Sequence, residues 1–171
     1  RLFDHFKDTK ILYASSSTAA EPWRNPYAMS KYSMEQIAPK KSVGMRFTTV
    51  YGPQARDKML IPRILRNDVP YINTNHWRDF IHVDDICTAI ETLMNQEDNL
   101  IPYGDVVEIG TGVSHRLTDI INYFSIDVSK QQLGDEGERI DNKANVEFLN
   151  TLGWKAKVEL KDYITKNRIT N

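Results

Sequence analysis

The chain has one cysteine, Cys87, in 171 residues. No internal disulfide can form, so a reducing cytoplasm is the expected compartment. No apolar run approaches the ~20 residues that a membrane-spanning helix needs, and no membrane association is expected. Charge of one sign is also missing: 22 Lys and Arg stand against 23 Asp and Glu, a formal net charge of −1. That balance leaves no basic footprint for nucleic acid and no acidic tail. Glycine is scarce, with eight residues. The sole G-x-G, Gly110-Thr111-Gly112, carries His115 where a phosphate-cradling loop has its third glycine. It reads as a strand-to-loop turn. No cluster of His, Cys, Asp or Glu has metal-ligand spacing. Repeats and low-complexity segments are absent.

What is present is ordinary for a globular domain, with 40% hydrophobic and 26% charged residues. Strand-like and helix-like segments alternate. Lys10 to Ser15 reads as a buried strand. Asn25 suits an N-cap with Pro26 at the first helical position, and that helix should stop before Pro39. Val43 to Val50 reads as the next strand, broken by Tyr51-Gly52-Pro53. Met59 to Arg66 reads as a short helix. Asp84 or Asp85 is expected to cap a helix with an apolar stripe of Ile86, Ile90, Leu93 and Met94. Val106 to Ile109 is a strand, and Leu117, Ile120, Ile121 and Phe124 mark another helix. The last third is polar, with short helices expected near Ala144–Leu149 and Leu160–Thr165. Such alternation predicts an α/β fold with a parallel sheet and crossover helices.

The chemistry centres on Tyr27-Ala28-Met29-Ser30-Lys31, with Ser15-Ser16-Ser17 upstream. Tyr27 and Lys31 fall one turn apart on one helix face. An ammonium near a phenol favours the phenolate, which makes Tyr27 a candidate general acid/base. The bland alternative is helix–strand packing for Tyr27 and a solvated charge for Lys31.

Four segments in order resemble the extended short-chain dehydrogenase/reductase family, the NAD-dependent nucleotide-sugar epimerases and dehydratases. They are Ile11 to Ser17, Asn25 to Lys31, Met45 to Pro53 and Arg78 to Asp85. Val107-Glu108-Ile109-Gly110 and Leu152-Gly153-Trp154 also match. The resemblance implies a partial Rossmann-type sheet with a small C-terminal substrate-binding α/β region. Residues 1–52 and 79–112 would be the remaining nucleotide-binding part, and 53–78 with 113–171 the substrate-binding region. The family's opening Gly-rich turn is not found, and the chain starts on Arg1. It is therefore expected to be the C-terminal portion of a longer enzyme, or a half that needs a complementing N-terminal half or a homo-oligomer. NAD is the implied cofactor, with weak or no binding expected for this chain alone.

The resemblance also implies roles. Lys31 would hold the nicotinamide ribose and lower the Tyr27 pKa, and Tyr27 would take the substrate proton. Ser16 would be the catalytic hydroxyl, with Ser17 second. Arg78 would pair with the diphosphate of a nucleotide sugar, its alternative being an ion pair with Asp79 or Asp84. The stretch from Arg46 to Met59 is most similar to UDP-glucuronate 4-epimerases. There Thr49 and Arg56, seven apart, would hold the sugar carboxylate, although a solvated Arg56 is an equal reading. Arg46 itself reads as structural. Sugar 4,6-dehydratases carry an acidic pair where this chain has Thr18-Ala19-Ala20, so epimerisation is favoured. A nucleotide-sugar reductase or dehydratase of the same fold, and a non-catalytic half-protein, are the alternatives.

Overall fold

The computed structural model describes residues 2–169. In chain order the first elements are α1 (Leu2–His5), β1 (Ile11–Ser16), α2 (Pro26–Ile37), β2 (Ser42–Phe47), β3 (Thr49–Tyr51) and α3 (Leu60–Leu65). There follow β4 (Ile72–Asn73), β5 (Trp77–His82), α4 (Val83–Met94), β6 (Val106–Ile109), β7 (Ser114–Arg116) and α5 (Leu117–Tyr123). The chain ends with β8 (Gln131–Gln132), α6 (Glu147–Thr151) and α7 (Leu160–Asn167). Strands β1, β2 and β6 form a parallel sheet in that order. A second sheet, β3-β5-β7, is parallel at β3–β5 and antiparallel at β5–β7. The architecture is α/β and mainly parallel, as the alternation predicts.

The strand expected over Val43 to Val50 is two strands in two sheets. Thr48 is the break: its amide and hydroxyl both turn to the Ile109 carbonyl, at 3.1 and 3.4 Å. β3 then leaves β6 and pairs with β5. A bend of this kind has no proline or glycine to announce it. The cap of α4 also differs from expectation. His82 is the N-cap and its Nδ1 accepts from the Asp84 amide at 3.2 Å, with Asp84 and Asp85 in the first turn. Asp85 is buried and accepts the Lys157 and Val158 amides, each at 3.0 Å. It ties the segment before α7 to the start of α4.

Two apolar cores flank the cleft described below. One gathers Val43, Met45, Ile81, Ala89, Leu93 and Ile109 with Leu149 and Trp154. The other gathers Tyr51, Ile61, Ile64, Phe80, Ile120 and Ile164. Phe80 and Ile81 are neighbours in β5 that point to opposite cores, so this strand is shared between them.

A buried ion pair fixes α2 on the first sheet. Arg46 of β2 donates to Glu35 of α2 through Nε at 2.9 Å and Nη2 at 2.6 Å. The Ser15 hydroxyl of β1 donates to the same carboxylate at 2.5 Å. The Glu35 side chain is 4% exposed and that of Arg46 is 15% exposed. Removing one partner strands a charge, which costs about 3–5 kcal/mol. Glu35→Ala is therefore expected to lower the urea midpoint by that much stability with little change in the denaturant slope. Glu35→Leu combined with Arg46→Met is expected to recover most of the loss.

Candidate active site

Tyr27 and Lys31 occupy the first two turns of α2. Asn25 caps the helix by accepting the Ala28 amide at 2.8 Å, and Pro26 follows as the first helical residue. Both features are those expected from the sequence. The Tyr27 side chain stands in the open, 55% exposed. The Lys31 ammonium lies 5.8 Å from the centre of its ring and donates to the Ala14 carbonyl of β1 at 3.3 Å. Tyr27, Lys31 and Glu35 form an i, i+4, i+8 row that runs from solvent down to the sheet.

A cleft of about 840 Å³ opens at the C-terminal ends of β1, β2 and β3. Ser16, Tyr27, Thr49, Arg56 and Arg78 all line it; Lys31 stays outside the lining, beside Tyr27. A smaller cavity of about 220 Å³ adjoins it and shares Thr49, Met59, Arg78 and Glu138. The smaller one adds Lys58, Arg63 and Tyr71, with Arg63 5.8 Å from the Tyr71 ring centre. Ser16 is half-buried, and its hydroxyl oxygen accepts the Thr18 hydroxyl at 2.9 Å and the Thr18 amide at 3.3 Å. Ser17 is buried and turned toward Asn142, at 3.5 Å.

Arg78 pairs with neither Asp79 nor Asp84. Strand alternation sends Arg78 and Asp79 to opposite faces of β5. The Arg78 Nη1 faces the carbonyls of Trp77, Arg139 and Ile140 at 2.7–3.1 Å. Its Nη2 faces His76 Nδ1 at 3.1 Å and Glu138 Oε2 at 3.3 Å. Burial pushes the Arg78 pKa down from its ordinary value, against the pull of Glu138 and Asp141. His76 is fully buried beside it and is likewise pushed down, by burial first and the Arg78 charge second.

Asp79 explains the Gly110-Thr111-Gly112 turn. It is fully buried, and its carboxylate accepts the amides of Thr111 at 2.9 Å, Gly112 at 2.9 Å and Ala144 at 3.1 Å. The Thr111 hydroxyl adds a fourth bond at 2.7 Å. A Cβ at Gly110 would meet Asp79 Oδ2 at 2.6 Å, and Gly112 has φ +75°. The amides of this turn are thus spent on a protein carboxylate.

Sequence reasoning missed the segment Glu136–Asn142, which forms the cleft's far wall. Arg139 donates to the Ser17 carbonyl at 2.6 Å and to Glu21 at 2.9 Å. Arg24 pairs with Glu21 and donates to the carbonyls of Glu136 at 2.8 Å and Glu138 at 3.1 Å. Asn25 donates to the Gly137 carbonyl at 2.8 Å. Asn142 donates to Thr49 Oγ1 at 3.0 Å and accepts the Asp79 amide at 2.8 Å. Burial would raise the Glu21 carboxyl, but the hydrogen bonds and charges of Arg24 and Arg139 outweigh it and hold it below its ordinary value. The only local signal is polar residues set between Gly134 and Gly137 and the chain's last helices.

Known proteins resemble the chain over nearly its whole length. It is 26% identical over 168 residues to a putative UDP-glucose 4-epimerase of Methanocaldococcus jannaschii, covering 83% of this chain and 52% of that protein. The chain spans about half the length of the curated relatives it matches. The solved structure of MoeE5 with UDP-glucuronic acid and NAD superposes with a TM-score of 0.79 at 21% identity, over 98% of this chain and 67% of that one. The UDP-glucuronic acid 4-epimerase of Bacillus cereus, solved with UDP-glucuronic acid and NAD, gives a TM-score of 0.76 at 22% identity, over 97% and 63%. The family model matches residues 7–110, from before β1 to the turn after β6, and on that match the chain belongs to the NAD dependent epimerase/dehydratase family.

Proposed function

We propose that this chain carries the catalytic and substrate-binding residues of an NAD-dependent nucleotide-sugar 4-epimerase. One observation carries the reading: Ser16, Tyr27, Thr49, Arg56 and Arg78 come from separate parts of the chain and line one cleft. Tyr27 would take the proton of the sugar C4 hydroxyl, with Ser16 beside it. Lys31 would set the phenol's charge environment and hold a ribose hydroxyl. Residues 1–52 with 79–112 would serve the nucleotide cofactor, and 53–78 with 113–171 the sugar nucleotide.

Residues fit NAD at its nicotinamide end only. Tyr27 and Lys31 lie within one helical turn at the cleft mouth, but the Thr111 and Gly112 amides are committed to Asp79. When bound, NAD supplies the acceptor for the C4 hydride. Pyrophosphate recognition would come from a complementing N-terminal half or a second copy. Among the described strands, β1 pairs on one side only, with β2, which leaves an edge for such a partner.

UDP-glucuronate is the substrate best supported. Thr49 is oriented by Asn142, and Arg56 is exposed at the same cleft with its Nη2 on the Met59 sulfur at 3.8 Å. The names of the two solved relatives fit that sugar acid. Epimerisation is favoured over dehydration because Glu21, the nearest carboxylate after Ser17, is engaged by Arg24 and Arg139 and is not poised to protonate a leaving hydroxyl.

Calorimetry tests the reading on the chain as it stands. UDP-glucuronate is expected to bind wild type, and Arg78→Ala is expected to weaken it about tenfold or more, the worth of a charged hydrogen bond. NAD is expected to give little or no heat. Equal binding by Arg78→Ala, or micromolar NAD binding, contradicts it.

A further inference from the structure

The two terminal nitrogens of the Arg78 guanidinium face different partners. Its Nη1 is directed at three backbone carbonyls, that of Trp77 in β5 and those of Arg139 and Ile140 in the wall, and these are fixed by the backbone. Its Nη2 faces buried His76 and the Glu138 carboxylate. Of these acceptors only Glu138 sits on a side chain with half its surface in solvent, 52% exposed. Glu138 also lines both cavities, at the point where they meet. An oxyanion reaching Nη2 meets this carboxylate first, and two negative charges cannot share the donor.

The backbone around Glu138 is fixed. Arg24 holds the carbonyls of Glu136 and Glu138, Asn25 holds that of Gly137, and Arg139 is held by Glu21 and Ser17. Leaving Arg78 therefore takes only rotation of the Glu138 side chain, which also carries its Oε2 away from His76 Nδ1, 3.2 Å off. No loop needs to open.

We propose that Glu138 is an internal counter-anion for Arg78, which the diphosphate of an incoming nucleotide displaces from Nη2. The residue sets how strongly the cleft holds a phosphorylated ligand. It penalises weak or singly charged ligands that cannot displace it. This inference rests on the nucleotide-sugar reading of Arg78.

The test is calorimetry of the full chain with three probes: UDP, inorganic pyrophosphate and uridine. Glu138→Gln keeps the shape and removes the charge. It is expected to tighten UDP and pyrophosphate about two- to fivefold, the worth of a part-exposed ion pair, and to leave uridine unchanged. Glu138→Ala, which also removes the acceptor, is expected to tighten them at least as much, and serves if the Gln variant folds poorly. UDP bound equally or more weakly by both variants overturns the inference while leaving the nucleotide reading in place. Pyrophosphate tightened by the variants, with UDP no better than pyrophosphate, supports the counter-anion and counts against the nucleotide. Failure of every form to bind either phosphate overturns both.

Discussion

Replacing Tyr27 by Phe is expected to lower turnover about 10²–10⁴-fold, in this chain completed with a nucleotide-binding half, with little change in nucleotide-sugar affinity. The ring is more than half exposed, so the core does not depend on the hydroxyl. Phe keeps a ring beneath the Lys31 ammonium, and the Ala14 carbonyl still holds that ammonium. On the proposed reading, what is lost is the group that would move the C4 proton, an interaction needed in the transition state and not for binding. Steady-state kinetics separates the two: kcat should fall and KM should hold. Near-normal kcat in the variant contradicts the role.

Asp79→Ala is expected to cost on the order of 4 kcal/mol of stability, comparable to the loss from Glu35→Ala. Three backbone amides and one hydroxyl lose their acceptor, a fully buried carboxylate beneath a partly buried turn. Each buried donor left unpaired costs about 1–3 kcal/mol, reduced where the turn relaxes toward water. For a chain of this length the melting temperature should drop by roughly 10 °C. The cleft wall should loosen too, because the carboxylate holds the Ala144 amide two residues after Asn142, and Asn142 orients Thr49. Thermal melts followed by circular dichroism check this. A loss below about 1 kcal/mol means that the turn does not depend on this carboxylate.

The local parts of the fold were legible because they rest on local chemistry. Asn25 and Pro26 marked the start of α2 and thereby placed Tyr27 and Lys31 on its first turns. The strand at Val106–Ile109 was legible in the same way, and so was the α4 stripe as far as Leu93: Ile86 and Leu93 are buried and Ile90 packs against their core, but Met94 is 63% exposed. The misses are contacts across long sequence separations. Arg78 and Glu138 lie sixty residues apart, so the sequence offered Asp79 and Asp84 as partners and strand alternation ruled out the nearer one. Asp79 was offered as an ion-pair partner of Arg78 and is the buried centre of a turn. Glu35 and Arg46 show a partial signal, since Glu35 continues the Tyr27–Lys31 row toward the sheet. The wall at Glu136–Asn142 has no periodicity to read, being held by Arg24, Asn25 and Arg139 rather than by an apolar face.

The most direct measurement is the fate of a C4 deuterium in UDP-glucuronate, incubated with this chain, NAD and a complementing nucleotide-binding half. Hydride removal and return at one carbon predicts a C4-inverted product that keeps its deuterium at C4. No C4-inverted product in a complex that binds both ligands, or an inverted product that has exchanged its C4 deuterium for solvent hydrogen, contradicts it.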